Sequence, residues 1–251
     1  MDFPLTGKFL AGRRREVLQD EDWHLLEEAF DQVLEFPDAT KIQSGAGNEN
    51  RCCLVVEGFV FKIRWTGQQR CIVGVAVPGD FIDLPNYTLA YLDYEVVAAG
   101  PVKLATLPHY EIDRIAQTSP PIARALWLAT LIDASIHRQW IEILERLDAP
   151  RRIIHIYTEL SSRLGLDDCG IIHCLRTPFK QRDLADMCGL SAIHVNRAIA
   201  KLRADEIADI RRGDLYTSDW DKLRKFARFD PRYLYMSENI LRDGVLGGSQ
   251  A

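Results

Sequence analysis

The side chains of this 251-residue chain best suited to recognising another molecule lie between Ser191 and Lys201. With Val195 at the origin of a helical wheel of roughly 100° per residue, Ala198, Ile199 and Leu202 gather beside it, while Ile193, Arg197 and Ala200 point the other way. His194, Asn196 and Lys201 flank that outer face. An arginine forks onto guanine O6 and N7, an asparagine onto adenine, and an isoleucine touches a thymine methyl. The face can therefore read base edges in a major groove; the same residues also allow an ordinary helical hairpin with a solvated outer side.

The residues before this face are of the kind that would hold it in place. Gln181 to Cys188 reads as a short helix with Leu184, Ala185 and Cys188 turned inward, and Ala185 is small enough for a second helix to cross close over it. Gly189 can take the positive φ of a tight helix exit, and Ser191 supplies an oxygen to cap the next helix. This is a helix-turn-helix pattern. Downstream, Arg211-Arg212-Gly213-Asp214 has the composition of a hairpin tip between residues 208–210 and 215–217, a wing. We expect Ile193, His194, Asn196 and Arg197 at base edges and Lys180, Lys201, Arg211 and Arg212 at phosphates, with Gln181 and Ser191 completing the DNA-facing set.

Several further elements must carry this unit. Residues 16–35 have apolar positions at helical spacing (Trp23, Leu26, Phe30, Val33, Leu34) behind an acidic start and predict an entry helix. From about Thr40 the pattern changes to short β-branched and aromatic segments interrupted by Gly58, Gly67, Gly79 and Gly100, which predicts a compact antiparallel β-roll with glycine turns. Pro108 opens a short helix, and Pro120-Pro121 start a long one in which Ile122 to Leu147 contains neither Gly nor Pro. Its stripe (Ile122, Leu126, Ala129, Ile132, Ile136, Trp140, Ile143, Leu147), widened by Leu128, Leu131, Ile141 and Leu144, is too broad for one packing partner. Asp148-Ala149-Pro150 is a hinge, residues 151–164 form a helix ended by Gly165, and Trp220, Leu223, Phe226 and Phe229 predict a helix docked on the body.

The formal charge of −5 argues against DNA until the chain is divided. Residues 151–251 carry 17 Lys and Arg against 14 Asp and Glu, a balance of +3, and residues 1–150 carry 14 against 22, a balance of −8. Local surface charge, not the total, sets phosphate attraction. No run has the apolar length of a membrane span, and the start lacks a signal core, which together predict a cytoplasmic protein. The six cysteines lack paired CxxC spacing and are expected to be reduced thiols; Cys169 to Cys174 with His173 lacks the second ligand pair of a zinc site. There is no GxSxG, P-loop or HExxH, so no enzyme, metal or cofactor is predicted. The competing function is a ligand-binding module without DNA recognition.

Residues 181–203, with Leu190-Ser191, His194 to Ala198 and Lys201 to Arg203, resemble the recognition region of the CRP/FNR superfamily of bacterial transcription regulators, in the form of its less-characterised members. The resemblance runs from about residue 20 to about residue 236. It implies an α+β fold: an N-terminal antiparallel β-roll of the cyclic-nucleotide-binding-like jelly-roll type over residues 1–119, a dimerisation helix over 120–148, a winged helix-turn-helix over 149–236, and a flexible tail, 237–251. It implies a homodimer on near-palindromic double-stranded DNA, with RNA polymerase a candidate further partner and no membrane. Glu57-Gly58 and Pro78 to Phe81 match the family's roll turns.

The departures are local. Lys180 stands where relatives have a capping Thr, and Glu206 where a Gly commonly follows the recognition helix. Cyclic-AMP-binding members follow the Gly-Asp-Phe turn with a Gly-Glu pair; here Asp83-Leu84 replaces it, and residues 88–98 contain no Arg or Lys. A phosphate there would meet Asp83, Asp93 and Glu95 without a cation, so cyclic AMP is expected to bind poorly. The family's N-terminal cysteine group that holds an iron-sulfur cluster is absent before Cys52. The effector is unknown; Gly79, Asp80, Phe81, Asp83, Tyr87 and Tyr91 form the candidate effector pocket.

Overall fold

The computed structural model describes residues 3–13, 15–43, 50–89, 91–166 and 173–236. Helix α1, Asp20–Glu28, begins with Asp20, Glu21 and Asp22 against its positive N-terminal dipole and buries Trp23 and Leu26. It is much shorter than the expected helix over 16–35. Residues Gln32–Phe36 form strand β1 instead, antiparallel to β5 from Gln32↔Thr106 to Phe36↔Val102. In that register Leu34 and Phe36 turn inward and Val33 outward, so pairing at the edge of β5 overrides the helical spacing.

The roll is built on two long strands, β3 (Arg51–Thr66) and β5 (Glu95–Pro108), which pair antiparallel. Strand β4 (Gln69–Ala76) adds to β3, and β2 (Lys41–Gln43) to β5, giving the order β1-β5-β3-β4. Of the four expected glycine turns, Gly67 is in the β3–β4 turn, whereas Gly58 and Gly100 lie inside β3 and β5 where the register shifts. Both have positive φ, and they bend continuous strands rather than ending them. Gly79 makes the closest approach: a Cβ there would stand 2.1 Å from the Lys8 carbonyl oxygen, so the N-terminal segment can cross over this turn.

Helix α2 (His109–Thr118) leads to α3 (Pro120–Arg146), whose start is capped by the Ser119 hydroxyl accepting from the Ile122 N–H at 3.2 Å. The broad apolar stripe of α3 divides in two. Ile122, Leu126, Ile132, Ile136, Trp140 and Ile143 are buried within the chain, and Trp127, Leu131, Ile141 and Leu144 are exposed. Asp148 caps α4 (Ala149–Leu164), which ends at Gly165 in the left-handed region.

The C-terminal unit contains α5 (Gln181–Cys188), α6 (Ala192–Ala204), strands β6 (His173–Leu175), β7 (Asp209–Arg211) and β8 (Asp214–Thr217) in the order β6-β8-β7, and α7 (Trp220–Ala227). The final turn, Pro231–Leu234, brings Met236 back to pair with Arg13. Residues 237–251 and Cys169 lie outside the described residues. The wing tip, Arg212-Gly213, has φ of 53° and 94°, the conformation of a two-residue hairpin turn matched to strand twist. Gly213 is packed beneath residues 177–179, and its carbonyl accepts from the Tyr157 and Thr177 hydroxyls at 2.6 and 2.7 Å.

The path from α6 into the wing, put in question by Glu206, is made by Glu206 itself taking φ of 51°. A non-glycine residue there costs roughly 1–2 kcal/mol. Glu206→Gly is therefore expected to raise unfolding stability by about 0.5–1 kcal/mol, seen as a higher urea midpoint at unchanged slope.

Candidate nucleic-acid interface

The helix-turn-helix geometry follows from residue size and capping. Gly189 has φ of 62°, which lets the chain leave α5 tightly, and Ser191 caps α6 by accepting from the His194 N–H at 3.3 Å. Val195, Ala198, Ile199 and Leu202 are buried, and Ile193, His194, Asn196, Arg197 and Lys201 are exposed on the outer side, Ile193 at 64%. The Ser191 hydroxyl also meets His194 Nδ1 at 3.0 Å, tying the first turn together. Arg152 of α4 donates to the Cys188 carbonyl at 3.1 Å, placing a cation at the C-terminal end of α5.

The basic residues around α6 divide by partner. Lys201 pairs with Asp205 at 2.9 Å, and Arg211 with Asp209, which Arg203 also reaches at 2.8 Å. Burial pushes the Asp209 carboxyl up, but the two guanidinium groups outweigh it and hold the pKa below its usual value. Arg212 is exposed at the wing tip and makes no hydrogen bond or ion pair with a described residue. Gln181 is exposed at the start of α5, where Arg182 also projects. The cap missing at Lys180 is supplied in reverse: the Asp183 carboxylate accepts from the Lys180 N–H at 2.8 Å. The Lys180 ammonium, expected at a phosphate, is 3.0 Å from Asp38 of the roll. The Gly100 N–H first and Lys180 second hold the Asp38 pKa down.

That contact is part of a docking surface that sequence spacing did not indicate. Arg70 of β4 pairs with both Asp183 and Asp186 of α5, and Phe179, 1% exposed, packs its ring against Phe59 and Phe61 of β3 and against Tyr157. Pro178 sits on Gly100, where a Cβ would come within 2.9 Å. The helix-turn-helix unit is therefore seated on its own roll.

A cavity of about 50 Å³ lies between the Gly79–Phe81 turn and α3. Of the six expected pocket residues, Gly79, Asp80 and Phe81 line it; Asp83, Tyr87 and Tyr91 do not. Tyr87 donates to Asp113 of α2 and packs edge-on to His109, and Tyr91 is 64% exposed. Asp83 is fully buried and accepts from the Cys53 N–H at 2.6 Å. The expectation that no cation serves this region is also corrected. Residues 88–98 have none, yet Arg13, Lys62 and Arg163 converge on the cavity from the N-terminal segment, β3 and α4, while Asp93 and Glu95 pair with Arg64 and Lys41. Separations of 49 residues or more between these three cations left no local signal.

Among the described residues Cys52, Cys53, Cys71, Cys174 and Cys188 are free, no group of three or more His, Cys, Asp and Glu could hold a metal ion, and no helix is long and apolar enough to cross a membrane. An antiparallel roll, a long helix and a helix-turn-helix with a β-wing define a two-part architecture. Residues 151–226 match the Crp-like helix-turn-helix domain. The chain is 24% identical over 143 residues to the transcriptional activator protein FnrL of Cereibacter sphaeroides, a match spanning 55% of this chain and 56% of that protein. Its fold is similar to FixK2 from Bradyrhizobium japonicum (TM-score 0.68, 19% identity, 78% of this chain and 96% of that one). It is also similar to a CooA mutant from Carboxydothermus hydrogenoformans (TM-score 0.66, 15% identity, 90% and 98%).

Burial lifts the Asp83 pKa to about 7, against the opposing hydrogen bond from Cys53 and the charge of Lys62. Its folded pKa lies above the unfolded value, so its stabilising protonation is complete below pH 4 and is lost as pH rises through 7. Asp83→Asn should flatten that decline, which for a three-unit displacement is on the order of 4 kcal/mol. Urea unfolding of both proteins at pH 5 and pH 8 measures it; an unchanged difference between the two pH values rules the assignment out.

Proposed function

We propose that the chain is a homodimeric, sequence-specific DNA-binding transcription regulator of the cytoplasm, acting by binding and not by catalysis. The observation that carries this is the outer face of α6, where Ile193, Asn196 and Arg197 project to solvent from a helix whose other side is fixed in the core. Two copies place these faces in successive major grooves, about 34–36 Å apart on a near-palindromic operator. Residues 1–119 sense, 120–148 pair the subunits, and 149–236 read DNA. The match to a transcriptional activator protein supports the reading.

Pairing uses the second stripe of α3. Trp127, Leu131 and Ile141 are each more than half exposed along one line of the helix, an apolar surface that a copy of the same helix would cover. Lys180, Lys201 and Arg211 are held by Asp38, Asp205 and Asp209. Exposed pairs of this kind contribute about 0–1 kcal/mol each, so exchanging the carboxylates for DNA phosphates is cheap. RNA polymerase is a further partner in this scheme. Cyclic AMP does not serve as effector in this scheme: Asp83, which by the resemblance replaces the ribose-binding pair, is fully buried and does not line the cavity.

Arg197→Ala is expected to cost about 1–3 kcal/mol on the selected operator and to relax one base position, whereas Arg211→Ala weakens matched and scrambled duplexes alike. Gel-shift titrations decide, and equal losses for both variants on both duplexes would count against the assignment. Ile141→Glu should convert dimer to monomer in sedimentation; a dimer that survives it places the subunit contact elsewhere. Calorimetry with cyclic AMP should register no tight binding.

A further inference from the structure

Arg13 is an unusual cation. Its side chain is 8% exposed and lines the cavity beneath the Gly79–Phe81 turn, and its guanidinium makes no hydrogen bond with a described residue. Its Nε is buried without a partner, and its nearest carboxylate, Asp80, stands 3.9 Å away. A buried guanidinium in this condition is costly unless hydrogen-bonded.

The neighbouring acids give the Arg13 guanidinium no hydrogen bond; Asp80 Oδ1 pairs with it only at 3.9 Å. Asp80 Oδ2 accepts from the Val77 N–H at 2.9 Å and from Arg163. Both oxygens of Asp133 are 2.9 Å from the Lys62 ammonium. Glu159 accepts from Arg163, Trp140 and Tyr233 at 3.0, 3.1 and 2.8 Å. Arg163, itself carrying a buried unpartnered Nε, lines the same cavity and repels Arg13. Arg13 thus lines a space bordered by a second guanidinium, and none of these acids accepts a hydrogen bond from its side chain.

We propose that this cavity binds a small oxyanion, a short carboxylate or an inorganic phosphate-like group, on the guanidinium of Arg13. The inference rests on reading the roll as a sensor and gives that sensor a ligand class. Two N–H groups of the fork match two oxygens of one carboxylate or phosphate. The volume suits an anion of a few heavy atoms, since one water needs only about 10–15 Å³ by the same measure. Arg163 belongs to α4, so the anion would sit against the helix on which α6 packs.

The full chain is tested by thermal unfolding at pH 7 and fixed ionic strength in sodium chloride, sodium acetate and sodium phosphate, beside Arg13→Met and Arg13→Lys. The wild-type midpoint should rise saturably by roughly 5 °C in acetate or in phosphate, whichever is the better mimic. Arg13→Met should lose the response whatever its own midpoint in chloride, and Arg13→Lys should keep a weakened response. Equal midpoints in all three salts for the wild type, or a full response in Arg13→Met, overturns the site. Gel shifts on the same samples separate the two readings. DNA binding without an anion response removes the site and leaves the regulator; an anion response without DNA binding does the opposite.

Discussion

Arg163 is taken almost wholly out of water, and the structure is arranged to pay for that. Its guanidinium reaches Asp80 in the roll turn, Glu159 one turn back on its own helix, and the Val75 carbonyl at 2.9 Å. Removing one partner from a buried pair of this kind costs about 3–5 kcal/mol, which fixes the rotation and height of α4 against the roll. Glu159 extends the constraint by accepting from Trp140 of α3 and Tyr233 of the C-terminal turn. His155, one turn earlier, stacks on Tyr233, and burial holds its pKa down. Long helix, roll and C-terminal turn are therefore all referred to one polar line on α4.

The placement of α6 follows from that line. Helix α6 packs on α4, α5 is held by Arg70 of the roll, and Phe179 fills the junction among β3, Tyr157 and the wing. The roll turn and α6 are thus joined through α4 by the Arg163–Asp80 pair and by packing. The surface pairs at Lys180, Lys201 and Arg211 have the opposite character: solvated, weak and exchangeable. Strong buried pairs set geometry, and weak exposed ones keep cations near the outer side of α6 and the wing.

How legible the chain was depended on the range of each interaction. Helix α6 could be read because its periodicity, its Ser191 cap and the Gly189 exit all lie within a few residues. Entry helix α1 was read too long because Val33 and Leu34 also fit a strand, and β5, some 70 residues on, decided between them. Gly58 and Gly100 were legible as irregularities but not as bends in continuous strands, since a bulge is defined by the partner's register. Of the expected pocket residues Gly79, Asp80 and Phe81 do line a cavity, whereas Tyr87 takes its partner from α2 and Tyr91 is exposed away from the cavity's walls.

By itself the amino-acid sequence determined the order of elements, the inner and outer sides of α6, the wing composition and the double apolar stripe of α3, all consequences of periodicity, capping and turn chemistry over short spans. Only the tertiary structure decided which α3 stripe is spent inside the chain, that Lys180 and Arg70 bind the two parts together, and that Arg13, Lys62 and Arg163 meet over one turn. Those outcomes depend on desolvation and charge pairing between residues far apart in sequence, and no local pattern encodes the distance at which two such groups come to rest.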